Sequence, residues 1–209
     1  IRTLVAEIVG STRPEQALVI ACHAQEPGAC DNASGMAGMT EALVSYVGAI
    51  EAGKLARPGR TLSCVWGDEK LQSTTFLADT QLEVVAGISA DMLGQSKSRT
   101  GAILLLERAK DPGALVPLLP DEHTPWGMAE VDPESLRPNG LAVIARCALA
   151  DVGAIEAGWQ TGEHPYEGGR DHDIFIARGL PTALFWHFTD FTYHTSLDRL
   201  AMVDVGEVR

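Results

Sequence analysis

The chain has no CxxC pair. Its four cysteines, Cys22, Cys30, Cys64 and Cys147, stand singly, which excludes a zinc ribbon or a thioredoxin-type redox motif. Buried single thiols are the default reading, with a Cys22–Cys30 disulfide as the alternative. No G-x-S-x-G elbow occurs, and Ser34 follows Asn32-Ala33, so a serine hydrolase of that design fails on detail. Basic residues are few: 16 Lys and Arg against 28 Asp and Glu give a formal net charge of -12. Without a basic footprint, general nucleic-acid binding is not expected; the acidic balance suits metal ions, a cationic substrate or simple solubility. No apolar run is long enough for membrane insertion, and no stretch reads as a signal peptide. Internal repeats and low-complexity tracts are also lacking.

What is present is an ordinary globular composition, 45% hydrophobic over 209 residues, enough for one domain with a substantial core. Aliphatic and β-branched runs at 3–9, 18–22, 62–66, 84–89, 101–107 and 182–188 predict strands. The apolar spacing of Met36, Met39, Leu43, Val44, Val47 and Ile50 predicts a helix from Asn32 onward. Shorter helices are expected at 71–79, 141–152 and 171–178, the last closed by Gly179. Residues 158–169 read as loop. Six prolines between 110 and 140 argue against a continuous element there, and an insertion of that length is usually functional or mobile. Alternating strands and helices predict an α/β fold: a three-layer αβα sandwich around a mostly parallel mixed sheet.

Strand ends are where such folds carry their chemistry. Here they lead into His23 and Asp31, then Asp68-Glu69, then Asp91, and finally His194. Taken singly, an acidic residue after a strand is an ordinary turn residue. Taken together, a His, Asp and Glu set without thiolates suits zinc or a similar divalent ion, with a carboxylate able to bridge two. Without a cation, such carboxylates would raise one another's pKa values. Two divalent ions against three ligand carboxylates leave one positive charge for a bridging hydroxide to cancel. His187, inside Leu184-Phe185-Trp186, reads as a hydrogen-bonded core residue, whereas His123 and His164 read as solvated loop residues.

The motifs GACDNASG (28–35), WGDE (66–69), DMLG (91–94), RDHDIF (170–175), GLP (179–181) and YHTSLD (193–198), with the strand end at His23, resemble in order and spacing the M28 family of zinc-dependent aminopeptidases. The resemblance runs from residue 6 to residue 198. It implies a zinc-peptidase (phosphorylase/hydrolase-like) catalytic domain over 1–209, with a proline-rich insertion at about 110–140 and upstream parts of a longer protein outside this chain. It also implies two zinc ions per chain (one in a cyclase-like or structural variant). His23 and Asp91 would hold one, Glu69 and His194 the other, and Asp31 would bridge them.

Two positions depart from the family pattern. The general base, usually glutamate, is Asp68, one methylene shorter. The aspartate that usually orients the first histidine is replaced by Gln25, with Glu26 as the adjacent carboxylate available for that role. Asp171 and His172 match a segment lining the family's cleft, which implies that His172 supports the tetrahedral intermediate; the alternative is an ordinary helix N-terminal residue. Tyr193 has core packing as its first reading and substrate contact as its second. Trp126 is a candidate for closing over the cleft.

The implied reaction is release of N-terminal residues from peptides, with Asp68 shuttling the proton of a metal-activated water. Two other readings share the scaffold: a non-catalytic zinc- or partner-binding domain, and carboxypeptidase or glutaminyl-cyclase chemistry. The family resemblance favours an extracytoplasmic location; oligomeric state is open.

Overall fold

The computed structural model describes residues 2–115 and 131–208. Trp126 and His123 lie outside the described residues. Among the described residues, seven strands form one mixed sheet: β1 (Leu4–Ile8), β2 (Arg13–His23), β3 (Arg60–Gly67), β4 (Glu83–Ala90), β5 (Ile103–Arg108), β6 (Thr161–His164) and β7 (Thr182–Phe188). Their spatial order is β1-β3-β2-β4-β7-β5-β6. Strands β3, β2, β4 and β7 run parallel, as do β5 and β6; β1 against β3 and β5 against β7 are antiparallel. The helices are α1 (Ala33–Glu51), α2 (Leu71–Asp79), α3 (Lys97–Thr100), α4 (Gly140–Ile155) and α5 (His172–Ala177).

Period-two alternation along β2 builds both faces of the core. Val19 and Ala21 point to one side, with Val65 of β3, Phe76 of α2 and Phe175 of α5. Ile20 and Cys22 point to the other, with Met39 of α1 and Trp66. Helix α4 covers the α1 side through Leu141, Ala145 and Leu149 against Leu106, Ala183 and Phe185. The α/β sandwich expected from the sequence is thus the fold adopted. Gly87 allows α5 to seat closely: a Cβ there would lie 2.3 Å from the Phe175 ring, so a larger residue would lift off the helix that carries His172.

Two expectations are corrected. Strand β2 starts at Arg13, ahead of the run expected at 18–22, with a register shift between Arg13 and Ala17. Strand β6 falls in residues read as loop; its four residues, Thr161 to His164, pair with β5 only. Among the described residues no helix is long and apolar enough to cross a membrane.

The order places a switch point at β2. The chain leaves β2 through α1 to reach β3 on one side, then crosses back through α2 to β4 on the other. The crevice between the carboxyl ends of β2 and β4 is where ligands bind in open α/β sheets. His23 ends β2, and Asp91 directly follows β4.

Candidate metal centre

His23 Nε2 lies 3.0 Å from Asp91 Oδ1 and 3.4 Å from Asp31 Oδ1. Asp31 reaches the other way as well, with Oδ2 3.3 Å from His194 Nε2, which is 3.5 Å from Glu26 Oε2. Two groups of potential ligands result, His23–Asp31–Asp91 and Glu26–Asp31–His194, and Asp31 belongs to both. His23, Asp31 and Asp91 are buried, whereas the His194 side chain is 43% exposed. A cavity of about 540 Å³ opens over the second group, lined by Glu26, Gly28, Asp31, His194, Ser196 and Asp198 among others.

Local hydrogen bonding explains why Asp31 is held there. Asp198 Oδ1 accepts the Cys30 backbone N–H at 2.6 Å and Oδ2 accepts that of Asp31 at 2.9 Å. The approach is so close that a Cβ on Gly28 would sit 2.1 Å from Asp198 Oδ2, so only glycine fits. Asn32 caps α1 by accepting the Gly35 N–H, accepts the Met92 N–H with the same oxygen, and donates to the His23 carbonyl. One side chain thereby ties together the end of β2, the start of α1 and the loop after β4. Lys70, Met92 and His194 are non-glycine residues with positive φ (63°, 49° and 57°). Each costs about 1–3 kcal/mol, and all three lie at or beside the predicted site residues Glu69, Asp91 and His194.

The electrostatics are those of an acidic cluster. Burial, then Asp91 and Glu26, raise the Asp31 carboxyl to about 9. Burial alone would depress His23, but Asp91, Asp31 and Glu69 outweigh it and raise the imidazole to about 10. Glu69 is raised by burial and by Asp91. Asp91 is lowered because His23 and the Arg170 guanidinium overcome its desolvation. Arg170 Nε sits 3.0 Å from Asp91 Oδ2, and its Nη2 donates to the Tyr193 hydroxyl at 2.6 Å.

Several predicted residues take positions other than those expected. Glu69 joins neither ligand group; among the described residues, Glu26 is the carboxylate that accompanies Asp31 and His194. Gln25 does not orient His23: its Oε1 accepts the Glu69 N–H at 3.0 Å, and the buried His23 Nδ1 has no hydrogen-bond partner among the described residues. Asp171 is a clamp on the loop after β3. It accepts from the Lys70 N–H, Gln72 Nε2 and Ser73 Oγ, capping the start of α2 from across the fold. His172 is fully buried against Glu107, 2.9 Å away, rather than at the cleft. Tyr193 packs beside Met92, Leu184 and Phe188 and stacks on the His194 ring. Asp68 is half-buried after β3, its carbonyl accepting the Gln72 N–H. His187 is buried as expected, with Nδ1 2.9 Å from the Met92 carbonyl oxygen. His164 is not a solvated loop residue but is buried at the end of β6. All four cysteines are free, so Cys22 and Cys30 are not paired.

From sequence, Glu26 is a candidate only for orienting His23, not for joining Asp31 and His194, and Arg170 and Asp198 are not recognised as site residues. Each lies within or next to a motif already noted, but their partners are remote in the chain. Their roles follow from the tertiary fold rather than from spacing.

The residues fit a bound cation. Among the described residues, Asp31 Oδ1 and Glu69 Oε1 are buried with no hydrogen-bond donor, an expensive state for carboxylates unless a positive charge answers them. Four carboxylates (Glu26, Asp31, Glu69, Asp91) against Arg170 leave three negative charges with both histidines neutral. One divalent ion would undershoot; two would leave a single positive charge for hydroxide. The nitrogen and oxygen donor set suits zinc.

No protein-family model matches the chain, and no curated protein matches it. Solved structures share the fold. The zinc aminopeptidase of Bacillus subtilis is 14% identical, with a TM-score of 0.64 over 99% of this chain and 46% of its own. The Aneurinibacillus sp. strain AM-1 aminopeptidase is 18% identical, with a TM-score of 0.61, covering 99% of this chain and 44% of that one. An Acidobacteriales bacterium glutaminyl cyclase is 15% identical, with a TM-score of 0.58, covering 99% and 68%. The chain thus spans less than half the length of these two aminopeptidases. At such identities the likeness establishes the architecture, a scaffold found in metal-dependent peptidases.

Proposed function

We propose that the chain is the catalytic part of a metal-dependent hydrolase, most simply a dizinc aminopeptidase releasing N-terminal residues from peptides. The observation that carries this reading is the division of Asp31 between two ligand groups, one carboxylate oxygen facing His23 and the other facing His194. His23 and Asp91 would hold one ion, His194 and Glu26 the other, with Asp31 common to both. Glu69 stands close enough to His23 and Asp91 for their charges to act on its carboxyl and would be drawn in as a further ligand or as a charge facing the substrate. Bound metal would supply an acidified water and polarise the scissile carbonyl.

The chain's own groups do the rest. Asp68, at the end of β3, would take the water's proton and return it to the departing amine. Gln25 and Asp171 hold the Asp68–Lys70 loop by accepting two of its backbone N–H groups. The cavity beside Glu26 and Asp31 offers an acidic wall to a substrate ammonium group.

The test is turnover of aminoacyl-anilides by zinc-loaded protein, with loss on chelation. Asp68→Asn should lower kcat about 10²- to 10⁴-fold while zinc content is unchanged; full activity in that variant would remove Asp68 as base. No turnover across apolar, basic and acidic aminoacyl groups at full metal occupancy would favour a zinc-binding domain without catalysis. A second reading, a single-ion centre with cyclase-like chemistry, is favoured by Arg170: its guanidinium already meets one oxygen of Asp91.

A further inference from the structure

A second cluster lies where β5 and β6 end together. Glu107 and His164 are register partners on the two strands, and Glu167 follows three residues later. One donor atom from each lies within 4.8 Å of the other two, and all three residues are buried. None belongs to the centre around Asp31.

Two observations point to a cation. Glu107 is fully buried, and Oε1 carries all its partners: the backbone N–H groups of Glu167 and Gly168 and the His172 Nε2, each at 2.9 Å. Its Oε2 is buried with no hydrogen-bond donor among the described residues. Separately, His164 Nδ1 lies 2.7 Å from the Pro165 carbonyl oxygen. A carbonyl can only accept, so Nδ1 carries the hydrogen. In neutral imidazole that leaves the Nε2 lone pair aimed at Glu167 Oε1, 3.2 Å away. A lone pair facing a carboxylate oxygen is repulsive unless a cation lies between them. Donation of the far ring N–H to a backbone carbonyl is how metal-bound histidines are usually oriented.

We propose that Glu107, His164 and Glu167 form a second, structural site for a divalent cation, zinc by its ligand set. Zinc bonds of about 2.0–2.2 Å in a tetrahedron set ligand atoms roughly 3.3–3.5 Å apart, close to the 3.2 Å separation of His164 from Glu167. Two carboxylates and a neutral imidazole balance one divalent ion, and water would complete the coordination. The ion would fasten the edge strand β6 to β5 and fix the loop that runs on to Arg170, the residue paired with Asp91. The rival arrangement is metal-free, with His164 as an imidazolium paired to Glu167.

The proposal does not rest on the reading of the Asp31 centre, and one experiment separates them. Zinc per chain is measured by mass spectrometry after equilibrium dialysis at micromolar zinc. The samples are the unmodified protein, a His23→Ala/Asp31→Asn/His194→Ala triple variant, Glu107→Gln and Glu167→Gln. The triple variant is expected to keep one zinc per chain. Each glutamine variant is expected to bind one fewer than the unmodified protein, and its Tm should no longer rise with zinc as much. A triple variant without zinc, or glutamine variants with the full complement, would overturn the proposal. Should the triple variant or Glu107→Gln fail to fold, Glu167→Gln against the unmodified protein decides by the same count.

Discussion

On one side of Asp31, His23 and Asp91 are buried and a guanidinium already answers Asp91. On the other side, His194 and Glu26 border an open cavity, their side chains 43% and 26% exposed. The two sides share a carboxylate and differ in solvent and in resident charge. The buried side can store a proton on His23 and lean on Arg170, which lowers without removing the cost of leaving it without an ion. The open side has room for a ligand, and solvent screens its charges. A bridging carboxylate couples the two: a cation on one side lowers the cost of ionising Asp31 for the other.

Removing the shared group should have the largest effect. Asp31→Asn is expected to weaken zinc binding on both sides by more than the roughly 10–100-fold typical of residues that only orient ligands, read by competition with a chelating dye. If only one side weakened, the two groups would not share a ligand.

Proton uptake provides the next test. With His23 raised to about 10 and Asp31 to about 9, both are protonated in the metal-free protein at pH 7. The ligand forms are neutral imidazole and carboxylate, so metal binding must expel both protons. Affinity should therefore rise with pH, by as much as roughly a hundredfold per unit up to about 9 and by about tenfold per unit from there to about 10. Calorimetry in buffers of different ionisation enthalpy should count about two protons released per chain. No release would mean that the cluster is already ionised.

Asp198→Ala leaves the Cys30 and Asp31 N–H groups without their charged acceptor. A loss of about 2–3 kcal/mol in urea unfolding is expected, with weaker metal binding on both sides. Arg170→Gln should discriminate between the sides most finely. Removing a cation beside Asp91 is expected to tighten zinc on the buried side by about tenfold or more and to leave the open side nearly unchanged. Equal tightening would show that Arg170 acts on the whole cluster.

Sequence reading found the residues that end strands and missed those that arrive from elsewhere. His23 and Asp91 were legible because an apolar run followed by a polar ligand places that residue at the carboxyl end of a buried strand. Asp31 and His194 came with the motifs around them. Asp198 was not legible as a support for Asp31, since the contact spans 167 residues. Arg170 was read only as part of a motif, because nothing in its neighbourhood says that it turns toward Asp91. Gln25 stands where the family pattern has the aspartate that orients the first histidine, whereas the loop fold turns it to Glu69. β6 escaped because Thr161, Gly162, Glu163 and His164 form a short edge strand without an aliphatic run. With the strand went the burial of His164, and with that the second cluster.

The central claim is that Asp31 joins two ions. Electron paramagnetic resonance of the protein loaded with manganese(II) tests it directly, since ions that share a carboxylate are magnetically coupled and a separate ion at Glu107–His164–Glu167 is not. The account predicts a spin-coupled pair that disappears in Asp31→Asn. Signals from isolated ions alone in the fully loaded, unmodified protein would contradict it.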